Sequence, residues 1–355
     1  MGIQLTLDLF FVFQAGAIVL ITVNQSDTPP QKKEVHSMKK AVKFVAALSA
    51  VAALTIGISG VATAKKEEAP AKIIVSDAKT THHLNLYVAN DLGFFKKHNL
   101  DVTIVEAKEL SNARDAVVSG QADVFWSCPT VAIAAIANGA PLKIISQVKT
   151  PCTSVLIVKK DSPLKTWQDL KGKHIAGISP TCEAVIAYEK KARENGGEFL
   201  LEKLGGGPSI AALEAGKVDG AILEEPHVSI AELKGYKVIL RDAASQVPCR
   251  TINARTGYLK ENPEALKRFI EAIKEANAFI LKDPSGKQVV EIAKKYTGAP
   301  EDAIKHGNGR LKFTTVIQEK GLSALADELV SLKNIKENPG TRLYAAEFKG
   351  ITWGK

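Results

Sequence analysis

Four cysteines, two adjacent histidines and two neighbouring carboxylates are the groups of this chain with the most chemistry to offer. Cys128, Cys152, Cys182 and Cys249 all fall in predicted loops, none in the interior of a predicted helix. A thiolate is a nucleophile and a soft metal ligand, and two thiols can close a disulfide. Cys128 and Cys182 stand at predicted helix starts, where a thiol's pKa is lowered. No CxxC pair occurs, so the usual zinc spacing is absent. His82 and His83 are adjacent, and on a helix they point about 100° apart, so at most one faces a given cleft. Spacing reveals no Ser/His/Asp arrangement and no catalytic residue. Gly205-Gly206-Gly207-Pro208 reads as a turn, because no Gly-Lys-Ser/Thr follows to make a phosphate loop.

The chain around these residues has 355 residues, enough for two domains or one large one. Hydrophobic residues make up 45% and charged residues 24%, a globular balance that excludes a disordered or coiled-coil chain. The net charge of +9 is spread out, with no block of five like charges, so a nucleic-acid partner is not expected. Four cysteines are too few for a disulfide scaffold.

Near the N-terminus, Lys39, Lys40 and Lys43 precede an apolar run from Phe44 to Val61, which ends in Ala62-Thr63-Ala64. A basic region, an apolar region and a small-x-small end describe a secretory signal peptide over 38–64, a transmembrane anchor at 44–61 being the other reading. Met1 and Met38 are the only methionines, and Met38 opens the basic region, so 1–37 reads as upstream read-through. No cysteine follows Ala64 to carry a lipid anchor. Export would place the mature chain in a periplasm, where disulfides are permitted.

Beyond the leader, strands and helices alternate. Lys72–Ser76, Leu100–Glu106, Ala122–Trp126, Lys143–Val148, Ser154–Lys159, His174–Ile178 and Gly220–Leu223 read as strands. Leu84–Asp91, Asn112–Ser119, Thr130–Asn138, Thr181–Glu194 and Ser209–Ala215 read as helices between them. The alternation predicts parallel or mixed sheets with helices on both faces. After about residue 255 the pattern becomes helical. Asn262-Pro263 opens a helix whose Leu266, Phe269, Ile270, Ile273, Asn277 and Ile280 recur every three or four residues.

A near-repeat is the most informative feature. Ala116 to Pro129 can be laid over Ala212 to Pro226, with one extra residue before the second proline. Both read as helix, Gly, small apolar residue, Asp, strand, Pro, with Gly120 and Asp123 matching Gly216 and Asp219. Each glycine can end a helix in a left-handed cap. Each proline lies past a strand's carboxyl end, where ligands sit in open α/β sheets. The repeat predicts two similar lobes, each aiming a loop into a shared cleft.

With Leu86–Val102 and its Gly93-Phe94-Phe95, Gly120-Gln-Ala-Asp123, Gly139-Ala-Pro-Leu-Lys143, Val158–Lys173, Gly216-Lys-Val-Asp219, Glu225-Pro226 and Asn262-Pro-Glu-Ala-Leu266, the sequence resembles a known family. It is similar to the periplasmic solute-binding proteins of ABC transporters, in the branch that handles nitrate, sulfonates, taurine and the pyrimidine precursor of thiamine. The resemblance covers most of 72–282. It implies the type II periplasmic-binding fold: two α/β lobes joined by two crossover strands, with the helical C-terminal part on lobe I. Lobe I would hold 72–152 and 250–355, and lobe II 156–243.

Ligand groups in such clefts meet helix N-termini. The resemblance therefore points to Asp77, Thr80, Thr81, His82, Trp126, Ser127, Cys128 and Thr130 from lobe I, and to Ser179, Thr181, Cys182, Glu183 and Glu225 from lobe II. Asp77, Thr80 and Thr81 also suit plain caps, and Trp126 also suits a core. Cationic residues near these loops are few: Lys79, Lys149 and Arg250. A strongly anionic sulfonate calls for a clear arginine, so a zwitterion or nitrogen heterocycle fits as readily. Cys152 on the first crossover and Cys249 on the return are placed to form a disulfide. Buried free thiols, or a soft-metal or redox site with His82 or His227, are the other readings of the cysteines.

The resulting expectation is a monomeric exported protein that delivers a small organic solute to an ABC permease, without catalysis, cofactor or metal. The alternative is an enzyme of the thiamine-pyrimidine biosynthesis type on the same fold. Such enzymes carry a tight run of cysteines that this chain lacks.

Overall fold

The computed structural model describes residues 69–354. The expected leader at 38–64 and the upstream stretch 1–37 lie outside the described residues. Within them no helix is long and apolar enough to cross a membrane.

Ten strands are described: β1 (Ala71–Asp77), β2 (Leu100–Glu106), β3 (Val124–Ser127), β4 (Leu142–Lys149), β5 (Val155–Val158), β6 (Lys173–Gly177), β7 (Phe199–Lys203), β8 (Gly220–Leu223), β9 (Lys237–Ile239) and β10 (Cys249–Arg255). They make two five-stranded mixed sheets, ordered β2-β1-β3-β10-β4 and β7-β6-β8-β5-β9. The two sheets share one plan. In the first, β1 runs parallel to β2 and β3, and β10 runs antiparallel to β3 and β4. In the second, β6 runs parallel to β7 and β8, and β5 runs antiparallel to β8 and β9. The reversed strand in each sheet is the one reached by crossing from the other. A chain that enters at the edge where the parallel strands end can only run back against them.

Burial explains the composition of the strands. The cores of β3 (Val124-Phe125-Trp126) and β8 (Gly220-Ala221-Ile222-Leu223) are buried throughout. Helices cover both faces, so the run is continuously apolar rather than alternating. The edge strand β2 alternates apolar and polar residues and keeps one face wet.

The near-repeat is a structural device used twice. Asp123 Oδ2 accepts from the Ile74 N–H at 3.0 Å, while the Asp123 N–H donates to Ile74 O at 2.8 Å. Asp219 treats His174 in the same way, at 2.9 and 2.7 Å. Each aspartate clips the incoming strand to its parallel neighbour just after the left-handed glycine, Gly120 (φ +82°) or Gly216 (φ +69°). Asp123 also pairs with Arg255 at 2.9 Å.

The helix Pro263–Lys282 buries Leu266, Phe269, Ile270, Ile273 and Ile280 against the first sheet, as its spacing predicts. Its Asn277 bonds Asn85. The Phe269 ring stacks on Phe95 at 4.9 Å and meets Trp126 edge-on at 5.8 Å. On the opposite face, helices Pro129–Ala137 and Glu319–Ser331 pack through Ile133, Leu322, Leu325 and Leu329. The helical C-terminal part thus packs on lobe I. One helix, Glu301–Gly307, reaches across to the helix His227–Leu233 of lobe II. A Cβ at Gly307 would lie 2.4 Å from Glu225 Oε2 and 2.5 Å from Ser229 Oγ, so only glycine permits this approach.

Three strands and three α-helices of the described residues are not read from the sequence, the third helix being the single turn Phe94–Lys97. β7 and β9 are short edge strands of five and three residues. β10 carries Arg250, Thr251 and Asn253, and its polar character resembles a loop until tertiary partners bury all three. The helices His227–Leu233 and Thr256–Glu261 follow strand ends too closely to show a period of their own.

Candidate functional site

The parallel strands of each sheet end at one edge, and the two edges face each other across the crossovers 150–154 and 240–248. The crossovers are tied by the Cys152 N–H, which donates to Val247 O at 3.0 Å. Every loop expected at the cleft leaves one of these edges.

At the centre lies Arg250, 1% exposed, at the start of β10. Its Nη2 pairs with Glu224 Oε2 at 2.5 Å, and its Nη1 lies 3.4 Å from Glu183 Oε1 and 2.7 Å from Cys128 Sγ. Arg250 and Cys128 belong to the first lobe, Glu183 and Glu224 to the second, so the fork joins them. Arg250 has φ +61°, a left-handed conformation that costs a non-glycine residue about 1–2 kcal/mol. Strain of this kind persists where surrounding contacts over-determine it. Lys149, fully buried at the end of β4, donates to Pro151 O and Thr153 Oγ1 and shapes the first crossover.

The adjacent histidines divide their roles. His82 Nδ1 lies 3.5 Å from Glu224 Oε2 and 4.0 Å from Cys249 Sγ. Burial, then the charges of Lys149 and Arg250, holds His82 well below the usual imidazole value, so it is neutral. His83 turns inward instead, with Nδ1 2.6 Å from Asp77 Oδ1. Tyr87 Oη donates to the other oxygen of Asp77 at 2.6 Å, which leaves Asp77 committed within its own lobe.

The other expected residues sort by their partners. Thr80 Oγ1 accepts from the His82 N–H and caps the 3-10 turn Thr81–His83. Ser127 Oγ donates to Cys128 O and accepts from Asn253. Ser179 and Thr181 bond each other at 3.0 Å and close their own turn. Trp126 is a core residue, wholly buried against Phe269. Thr81 and Thr130 are buried with hydroxyls that have no partner.

Glu225 requires a correction. It was expected to face the cleft, but its Oε2 accepts from Ser229 N and Oγ at 3.2 and 2.7 Å, and its Oε1 pairs with Arg310 at 2.8 Å. Glu224 faces Arg250 and His82 instead. Neighbours on an extended segment point opposite ways, and the sequence does not show which one turns inward. Arg250, Lys149 and Glu224, which the sequence offers as charged partners in these loops, lie at the cleft, and Gln147 joins them unannounced.

All four cysteines are buried free thiols. The expected pair Cys152 and Cys249 is brought together without a bond: both sulfurs and a Glu183 oxygen lie within 4.8 Å of one another. Cys128, Cys182 and Glu183 form a second such group. The Cys249 thiol donating to Cys152 brings Cys152 down to about 7 against the opposing effect of burial. Cys128 is pushed up by its hydrogen bond to Cys182 and by burial. In Cys182 the bond from Cys128 is the largest effect and lowers the thiol, but burial and the Glu183 charge together outweigh it and leave the thiol raised. Burial, then Cys152, raises Cys249.

Nine buried side-chain polar atoms among the described residues have no partner, and seven belong to Thr81, His82, His83, Trp126, Thr130, Gln147 and Arg250. All seven residues come from the ends of β1, β3 and β4 and the start of β10, or from the turns beside them. An unmet buried donor or acceptor costs about 1–3 kcal/mol, so this concentration marks where a bound molecule would supply partners. A recess of about 420 Å³ opens elsewhere, beside β2, lined by Lys79, Asn90, Glu106, Lys295 and Tyr296. It carries none of these unmet groups.

The family model described as NMT1/THI5 like matches residues 80–287. Among curated relatives, the 4-amino-5-hydroxymethyl-2-methylpyrimidine phosphate synthase THI11 of Saccharomyces cerevisiae is 25% identical over 225 residues, 58% of this chain. The match spans 65% of that relative's length. YtlA of Bacillus subtilis is 25% identical over 265 residues, 71% of this chain and 78% of its own. Among solved structures, the periplasmic aliphatic sulphonate binding protein SsuA of Escherichia coli superposes with a TM-score of 0.69 at 19% identity, covering 78% of this chain and 92% of that one. That likeness establishes the fold.

Proposed function

Because the chain belongs to the NMT1/THI5-like family, we propose that it is the exported solute-binding component of an ABC import system, whose lobes close on one small organic molecule. The observation that carries this reading is the unmet polar atoms of Thr81, His82, Thr130, Gln147 and Arg250, gathered at one sheet edge between two lobes of the same plan. The cleft mixes Arg250 and Lys149 with Glu183 and Glu224. That mixture suits a zwitterion or an amino-substituted nitrogen heterocycle, whose ring amino groups would donate to the carboxylates. A sulfonate would meet the carboxylates as well as the arginine. The protein acts as a monomer and hands its solute to a permease unchanged. The named activity of the yeast relatives supports the alternative, an enzyme acting on a pyrimidine.

A thermal-shift screen over sulfonates, amino acids and pyrimidines tests the reading. A solute at 100 times its dissociation constant stabilises by about 2.7 kcal/mol, which such a screen detects. Calorimetry then separates the two carboxylates. Glu224→Gln loses about 1.5–3 kcal/mol of binding, a ten- to hundredfold fall in affinity. Glu225→Gln keeps its affinity and loses stability, because Arg310 and Ser229 lose their partner. Chemical conversion of the bound pyrimidine would favour the enzyme instead. Export has its own check: the mature protein should begin at or near Lys65, and an intact N-terminal stretch would argue against the leader.

A further inference from the structure

We infer that the four thiols and Glu183 form a two-ion site for thiophilic divalent metals at the junction of the lobes. The donors fall into two sets that share Glu183: Cys128, Cys182 and Glu183, and Cys152, Cys249 and Glu183. Within each set the donor atoms lie within 4.8 Å of one another, and every member is buried. Two thiolates and a carboxylate suit a closed-shell ion: Zn²⁺, with ligand bonds of about 2.0–2.3 Å, or the larger Cd²⁺. A carboxylate beside both thiol pairs is what a bridged pair of ions requires and what two disulfides do not.

Charge supports the same stoichiometry. Two divalent ions, with Arg250 and Lys149, balance four thiolates, Glu183 and Glu224. Each thiol that binds gives up its proton to solvent as the sulfur–metal bond forms, so filling both positions releases about four protons. Cys128 comes from the first lobe, while Cys182 and Glu183 come from the second. Cys152 and Cys249 sit on the two crossovers. Metal binding therefore ties the lobes in the closed arrangement. The site shares the cleft and Glu183 with the solute reading but needs no organic ligand.

The experiment titrates Cd²⁺ alone into the reduced protein. Ultraviolet sulfur-to-cadmium charge-transfer absorbance should rise to a plateau at two equivalents, with matching proton release. The double variant Cys128→Ser/Cys182→Ser should reach its plateau at one equivalent, with circular dichroism confirming its fold. If that variant fails to fold, alkylation of the parent decides: Cd²⁺ should protect all four cysteines, as read by mass spectrometry. Absent charge transfer, a double variant that still takes two equivalents, or four thiols alkylated equally fast with and without Cd²⁺ would each overturn the site. So would protein from an oxidising compartment whose intact mass shows two disulfides. Because no solute is added, these outcomes are independent of the solute screen.

Discussion

Replacing Arg250 with leucine should cost the closed form about 3–5 kcal/mol, the usual effect of removing one partner from a buried charge cluster. Glu183 and Glu224, both on the second lobe, would be left at the junction without the guanidinium that ties them to the first. Opening the lobes relieves this, because both carboxylates then regain water. The loss therefore falls on closure more than on folding. Small-angle scattering should show an extended Arg250→Leu protein beside a compact parent, while the urea midpoint moves little. Arg250→Lys should give an intermediate profile, since an ammonium keeps the charge but not the fork. Identical scattering from parent and leucine variant would remove Arg250 from the role of clasp. Neutralising both carboxylates in the leucine background should restore part of the compaction.

Phe269→Ala should destabilise the protein by about 3–5 kcal/mol, the range for truncating a buried aromatic residue. Phe269 is fully buried between Phe95 and Trp126, so the void cannot be filled from solvent or by a flexible neighbour. This loss falls on folding, and the urea midpoint should drop with the slope unchanged. Trp126 lies two residues before Cys128, so loosening the ring contact also loosens the end of β3, and with it one wall of the cleft. A loss below about 1 kcal/mol would show that the core refills the space and would refute the account of this contact.

The two variants separate what holds a lobe together from what holds the lobes to each other. The first is apolar and periodic, and much of it was legible in the sequence. The face of the helix Pro263–Lys282 was named almost residue for residue, because a helix that buries one side must repeat apolar groups every three or four positions. The near-repeat was legible too. Gly120 and Gly216 adopt positive φ, and Asp123 and Asp219 clip equivalent strands, so one local problem was solved twice with the same residue types.

What holds the lobes to each other was less visible. β10 reads as a connection because Arg250, Thr251 and Asn253 are polar, and only their distant partners make burial tolerable. Glu225 was named where Glu224 faces the cleft, because a choice between neighbours depends on what lies opposite. Here Arg310 and Gly307, more than eighty residues away in the chain, draw Glu225 aside. His82 and His83 were equivalent in sequence until Asp77 took one and Glu224 the other.

By itself, then, the sequence determined the elements whose cause is local: the apolar periods, the glycine stops and the doubled α/β plan they imply. The tertiary structure alone decided which polar groups share the junction, because those contacts join residues far apart in the chain. Arg250 meets Cys128, Glu183 and Glu224 only after two crossovers bring both sheet edges face to face. The cysteines show the division most sharply. Their types and loop positions were plain, but their grouping in two pairs around Glu183 follows from the path of the crossovers, which no local pattern encodes.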